Sequence, residues 1–200
     1  QEVGELTAVS LTTLEMKIIS EDRPYSLPVV APDGSQIIYW SNGEAFSWMT
    51  DGSVVKRPFP QFRSGAISAD GQNITLLMSG EVRIYNLVNN ELIALSKESN
   101  CPGDGFCFPV WHPDNTRVAY NVYIPENMPP FALQLLSLDG TFQQFDGVGF
   151  PAFSPEGDLM AVYQNVNNRP ETAIIQLDTG EKTVTPFQGI PLYWDDLINE

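Results

Sequence analysis

A short acidic turn motif recurs along this chain about every forty residues, and no other feature restricts the possible fold as much. It reads Pro28-Val-Val-Ala-Pro-Asp-Gly34, Gly65-Ala-Ile-Ser-Ala-Asp-Gly71, Pro109-Val-Trp-His-Pro-Asp-Asn115 and Pro151-Ala-Phe-Ser-Pro-Glu-Gly157, with a partial copy at Pro191-Leu-Tyr-Trp-Asp-Asp196. The acidic positions 33, 70, 114, 156 and 196 lie 37, 44, 42 and 40 residues apart. A second turn series keeps step with the first, at Thr12-Thr13, Asp51-Gly52, Asn89-Asn90, Asp139-Gly140 and Thr179-Gly180. Two independent series sharing one period mark an internal structural repeat.

Between the turns lie short runs rich in Ile, Val, Leu, Tyr and Phe, bounded by Gly, Asn, Asp and Pro, the pattern of strands. Gln36–Trp40, Asn73–Met78, Arg117–Tyr123 and Leu159–Gln164 form one set, and Ala45–Thr50, Glu81–Asn86, Phe131–Leu138 and Thr172–Leu177 a second. Val54–Pro58, Leu92–Ser96, Thr141–Phe145 and Lys182–Phe187 complete each repeat. No window of twelve residues carries a helical apolar stripe. Four short strands in about forty residues is the arithmetic of a β-propeller blade. The expected fold is all-β, a propeller of four-stranded antiparallel blades, four complete and two partial. In this reading one propeller domain or fragment occupies 1–200, with blades at 28–60, 65–97, 109–146 and 151–187 and partial blades at 5–20 and 191–200.

The motif Pro-x-Phe-Ser-Pro-(Asp/Glu)-Gly, followed by an apolar strand and then a strand ending near Leu-Asp-x-Gly, resembles the PD40-type repeat of TolB-like propellers. Pro151–Gly157 with Leu177–Gly180 is the best copy. Copies one and three depart from it with Ala31 and His112 where Ser is usual, and copy two lacks the second Pro. The resemblance spans nearly the whole chain and implies the fold. It implies little about function, because such propellers serve many functions.

With strands named a to d from the axis outward, residues 5–20 supply c and d of one blade and 191–194 supply a of another. A blade shared between these ends lacks strand b, and neighbouring strands lie only about 4.8 Å apart. The expectation is an unpaired edge at Leu6–Leu11 and at Pro191–Trp194. Either the chain is part of a larger propeller, or another strand fills the gap in a five-bladed ring.

Ten Lys and Arg against twenty-five Asp and Glu leave a formal net charge of −15. Nucleic-acid phosphates and anionic headgroups repel such a surface, so no nucleic-acid partner is expected. No apolar run approaches the roughly 18 residues of a membrane span, and no direct insertion is expected. Gln at position 1 is read as a sign of a processed or excised form. The only cysteines, Cys101 and Cys107, flank a Pro/Gly loop; a disulfide ring between them implies an oxidising, extracytoplasmic compartment (periplasmic, secreted or cell-surface). Two free thiols or half of a metal site are the rival readings.

The three longest loops of this reading, Lys97–Phe108, Ile124–Pro130 and Asn165–Thr172, fall at the d-to-a and b-to-c connections of blades two to four. Long loops on a rigid scaffold carry binding. Phe106, Met128, Phe131 and Arg169 are therefore the candidate partner-binding residues. His112, the one histidine, is read as a structural side chain bonded to backbone, with general base or ligand as the alternative. Trp111, Phe153 and Trp194 share one repeat position and read as inter-blade packing, as do Trp40 and Trp48. Asp33, Asp70, Asp114 and Glu156 recur with the fold and do not make a catalytic pair. No Gly-x-Ser-x-Gly elbow and no EF-hand run occur, so no catalytic residue, metal or cofactor is expected. The function expected is a non-catalytic scaffold with a protein partner or ligand. The alternative is the gating propeller of a prolyl oligopeptidase-like hydrolase whose catalytic domain lies outside these 200 residues.

Overall fold

The computed structural model describes residues 5–10, 14–21, 26–78, 80–99, 108–123, 131–167, 169–189 and 191. Within them every regular element is a strand. Four four-stranded sheets follow one another along the chain, and each is an antiparallel meander with its strands in sequence order. Blade 1 holds β3 (Val29–Val30), β4 (Gln36–Ser41), β5 (Glu44–Met49) and β6 (Val54–Arg57). Blade 2 holds β7 (Ser64–Ile67), β8 (Asn73–Met78), β9 (Gly80–Asn86) and β10 (Leu92–Ser99). Blade 3 holds β11 (Val110–Trp111), β12 (Arg117–Tyr123), β13 (Phe131–Ser137) and β14 (Phe142–Asp146). Blade 4 holds β15 (Val148–Phe153), β16 (Leu159–Val166), β17 (Arg169–Gln176) and β18 (Lys182–Val184). A two-stranded sheet, β1 (Leu6–Val9) with β2 (Met16–Ser20), precedes them.

Burial explains why the strand sequences look as they do. The b strands are covered on both faces, so β8 is buried at all six positions and reads Asn-Ile-Thr-Leu-Leu-Met with no alternation. The d strands face solvent, and β18 is exposed throughout. Apolar clusters lie between the sheets. Ile38, Ala45, Ile67, Ile74 and Leu76 join blades 1 and 2, with Phe59 and Phe62 from the connecting segment. Leu77, Val82, Ile84, Val118, Tyr120 and Leu136 join blades 2 and 3. Ala119, Leu133, Leu135, Met160, Val162 and Ile175 join blades 3 and 4. Ile19, Tyr39 and Trp48, with Leu6, Ala8, Ile37 and Phe46, join the β1–β2 sheet to blade 1. Each fully buried large apolar side chain contributes about 1.5–3 kcal/mol, so these seams hold the stack together.

Several strand boundaries differ from the sequence reading: β10 runs to Ser99, into the loop placed at 97–108, and β15 begins at Val148, ahead of the fourth blade's expected start at 151. The fourth-blade loop placed at 165–172 is mostly strand, because β16 runs to Val166 and β17 begins at Arg169. Asn167 takes a positive φ of 52° and turns the chain between them. Pro170 is tolerated there because β18 reaches only Ala173–Ile175, which leaves the Pro170 end of β17 without an outer neighbour. The last d strand stops at Val184, short of the expected Phe187. Past it, Thr185 N–H donates to Thr172 O, and Thr172 N–H donates to Phe187 O, on either side of Pro186. The first a strand is also short, two residues after Pro28.

At the open ends, β1 pairs with β2 and with no other strand among the described residues. Pro191 lies outside any strand, and the rest of the expected Pro191–Trp194 strand, Trp194 included, falls outside the described residues.

Candidate partner-binding face

The strands of each blade run alternately up and down, so its connections divide between two faces. One face carries the a–b and c–d turns. Those turns are built by the recurring residues. Gly34, Gly71 and Gly157 hold positive φ, as does Asn115 in the third copy. Their amides donate to the carbonyls of Ala31, Ser68, Ser154 and His112 in turn. The Asp33, Asp70 and Asp114 Oδ1 atoms accept the N–H two residues on, at 2.9, 3.0 and 2.8 Å. In blade 4 the acceptor shifts, and Asp158 receives the Ser154 hydroxyl at 2.9 Å. The c–d turns repeat the device. Asp51 accepts the Ser53 N–H and hydroxyl, and Asp139 accepts those of Thr141. These bonds favour the ionised carboxylate and hold Asp51 and Asp139 below the usual range through the Ser53 and Thr141 side chains; Asp33 is lowered by the Ser35 N–H.

Side chains also stitch neighbouring turns together. Asn115 Oδ1 accepts the Ala69 N–H at 2.8 Å, tying blade 3 to blade 2. Trp111 Nε1 donates to Ala66 O at 3.0 Å across the same seam. His112 is buried, with its ring edge-on to Phe153 at 4.9 Å. Its Nε2 lies 2.6 Å from Gly157 O in blade 4, and Asp114 N–H donates to its Nδ1 at 3.2 Å. A proton on Nε2 serves Gly157 O, and Nδ1 also lies 2.9 Å from Asp114 Oδ1, which it pairs with when the ring is protonated; the Arg117 guanidinium nitrogen 2.9 Å from Nε2 is an electrostatic neighbour and not a bonded one. Arg117 instead donates to Asp114 Oδ2 at 2.9 Å. Burial raises the Asp114 carboxyl, but the Thr116 N–H and hydroxyl, Arg117 and His112 outweigh it and hold it down at about 2. A histidine with both ring nitrogens so engaged is a joint between blades. Phe153 belongs to the seam between blades 3 and 4, and Trp40 and Trp48 to the seams on either side of blade 1.

The opposite face carries the b–c and d–a connections. Phe131 opens β13 and pairs with Tyr123, and Arg169 opens β17, exposed, paired with Val166. Phe106, Met128, Cys101 and Cys107 fall outside the described residues, so neither the first two loop residues nor the disulfide ring receives a structural account. The stems of those loops are described. Phe108 is 48% exposed, Tyr123 36% and Val166 39%. Here the sequence reading missed Phe150. It precedes Pro151, takes φ of 52°, and sits at a register shift between Gly149 and Ala152. A positive φ is unfavourable for a bulky residue. Asn121 Oδ1 accepts its N–H at 3.1 Å, and its ring packs edge-on against Tyr163 at 5.8 Å. The dipeptide Phe-Pro at the head of strand a, shared with Phe108-Pro109, is the signal that could have drawn attention to it. Among the described residues no group of three His, Cys, Asp or Glu could hold a metal ion, and no helix is long and apolar enough to cross a membrane.

No family model matches the sequence, and no curated protein matches it. Solved structures do. TolB from Acinetobacter baumannii aligns over 94% of this chain and 50% of its own, with 18% identity and a TM-score of 0.58. The propeller domain of the Trilobed protease from Pyrococcus furiosus, described as having an open velcro topology, aligns over 90% of this chain and 62% of its own, with 16% identity and a TM-score of 0.64. BamB from Moraxella catarrhalis aligns over 90% and 57%, with 12% identity and a TM-score of 0.60. This chain thus spans about half to three-fifths of the length of these three structures. At such identities the likeness is one of architecture, and the chain has a β-propeller fold.

Proposed function

We propose that this chain is a non-catalytic, extracytoplasmic propeller scaffold that binds a protein partner through the b–c and d–a face of blades 2 to 4. The observation that carries this reading is the contrast between the two faces. On the turn face Asp33, Asp70, Asp114 and Asp139 are engaged by their own backbone amides, and Asn115, Trp111 and His112 by neighbouring blades. The other face carries the long connections that follow Ser99 and Tyr123, with Phe108, Tyr123 and Val166 exposed near strand ends and the cation Arg169 paired with Val166. Exposed aromatic and Arg side chains on a fixed frame are the usual anchors of protein recognition. The extracytoplasmic part rests on the Cys101/Cys107 spacing and on the likeness to TolB-type propellers. The non-catalytic part rests on the engagement of the sole histidine in a blade joint.

Photo-crosslinking from position 108 or 123, followed by identification of the captured protein, tests the reading. One protein captured from the loop face, and lost in Phe108→Asp and Arg169→Glu, is expected. Equal capture from position 91 on the turn face, or turnover of peptide substrates by the purified chain, overturns it. A second reading, the gating propeller of a serine hydrolase, draws on the likeness to the protease propeller domain. A Gly-x-Ser-x-Gly elbow elsewhere in the parent polypeptide decides for it.

A further inference from the structure

Phe150 holds a backbone conformation that is disfavoured on two counts. Its φ is 52°, and a positive φ is unfavourable for a bulky side chain. It also precedes Pro151, and a residue before proline is pushed toward extended backbone. The strand absorbs the distortion as a bulge, with a register shift between Gly149 and Ala152. The a strands of the other three blades pair without a shift. Two of those strands are also entered through an apolar residue and a proline, Leu27-Pro28 and Phe108-Pro109. Leu27 is 52% exposed and Phe108 48%, whereas Phe150 is half-buried.

Two contacts hold Phe150 inward. Asn121 Oδ1, from blade 3, accepts its N–H at 3.1 Å, and its ring lies edge-on to Tyr163 at 5.8 Å. Asn121 is buried, and it is out of character for its place. Seven residues past the acidic turn position, the other three blades carry Trp40, Leu77 and Tyr163. A buried amide is costly unless its hydrogen bonds are made, and here one of them goes to the strained residue. Strain of this kind persists only where neighbours over-determine it, and it gathers at clamps and switches. One hydrogen bond and one aromatic edge contact together are about as large as the strain they oppose. The inward form therefore lies close in free energy to an extended one.

We propose that Phe150 is a two-state element latched by Asn121. It lies inward against Tyr163 with positive φ, or outward with extended backbone, at the place that Phe108 takes in the neighbouring blade. The outward form adds an exposed aromatic ring to the loop face. A partner that takes an apolar anchor there binds the outward form better and shifts the population toward it. That use rests on the loop face being the partner-binding face; the latch itself does not.

Fluorine NMR of the free chain, labelled with para-fluorophenylalanine at position 150 alone, tests the latch without any partner. The readout is the change in the signal between light and heavy water, which grows with solvent contact. The same label at position 108 gives the outward reference. The unmodified chain is expected to fall well short of that reference. Asn121→Leu installs the residue of blade 2 and removes the acceptor. Loss of one hydrogen bond raises the outward-to-inward ratio about fivefold to tenfold, so the solvent effect moves toward the reference. Pro151→Ala relieves the push toward extended backbone and is expected to move it the other way. Far-ultraviolet circular dichroism checks folding. An Asn121 that only supports packing would lower the unfolding midpoint in Asn121→Leu and leave the solvent effect unchanged, which overturns the proposal. Should Asn121→Leu not fold, Pro151→Ala decides alone: a solvent effect smaller than that of the unmodified chain supports the latch, and an equal or larger one overturns it. Failure of crosslinking from the loop face would discard the partner and leave these outcomes untouched.

Discussion

The two faces of the disc are built from the same strands yet by different rules. On the turn face one solution recurs: a positive-φ Gly or Asn, an acidic side chain folded back on the backbone in three of the four copies, and a bond to the next blade at two of the seams. On the loop face the two-residue b–c turns of blades 1 and 4 still share an Asn at positive φ, while the residues at the heads of the a strands vary more than those of the acidic turns. Asn42-Gly43 closes blade 1 tightly, Asn167 turns blade 4, and the heads of the a strands carry Leu27, Ser64, Phe108 and Phe150 at equivalent places. Repetition follows where backbone geometry alone decides the sequence. Variation follows where the backbone leaves the choice free, and there specificity for a partner can be written.

The joint between blades 3 and 4 should break this comparison most visibly. A Cβ on Gly157 would lie 2.6 Å from His112 Nε2, and φ there is 77°. Gly157→Ala should destabilise the chain by about 2–4 kcal/mol in urea unfolding, through steric conflict and backbone strain together. Gly180→Ala also has positive φ but meets nothing within 4 Å. It should cost only about 1–2 kcal/mol, the conformational part alone. Equal losses at the two sites would mean that the His112 contact contributes nothing.

His112→Ala should come next, with a loss of about 1–3 kcal/mol from leaving Gly157 O and Asp114 N–H without partners. His112→Gln, which keeps a donor, should recover part of it.

Asp114 gives a smaller effect with a definite sign. Its folded carboxyl sits at about 2 against an ordinary 3.8. A lowered value means that the folded state favours the charged form. The stability so gained is fully present above the ordinary value and is lost as pH falls through about 2. Unfolding free energy should therefore decline between about pH 4 and pH 2, and Asp114→Asn should flatten that decline. The side chain is 38% exposed, so solvent screening keeps the contribution below about 1 kcal/mol.

The loop face should show the converse. Arg169→Glu should leave stability within about 0.5 kcal/mol, as surface substitutions do, while weakening partner capture. A larger loss of stability would show that this face is constrained by the fold and not left to recognition.

Much of this architecture is legible from the chain alone. The turn residues repeat because Gly or Asn tolerates the required φ and a short side chain with an acceptor oxygen, Asp in most copies and Asn89 or Thr179 in others, reaches back to the amide two residues on. The period therefore located the b and c strands to within a few residues, and Asn73–Met78 and Arg117–Tyr123 fully. The single histidine could be read as structural because a lone His with no partner nucleophile offers no catalytic arrangement. Other features needed the folded chain. Asn167-Asn168 read as part of a loop, yet the strands run up to it, because cross-strand pairing extends a strand past a local turn signal. Phe150 carries no local mark of its positive φ, which Asn121, a neighbour only in space, supports. Which side chains of β1 and β2 are covered and which are bare was likewise undecided by alternation. Period two separates the faces of a sheet, but only the docking of that sheet on blade 1 determines which face is inside. Local backbone chemistry repeats in sequence and can be read there; contacts between distant residues are set by packing and can be read only in three dimensions.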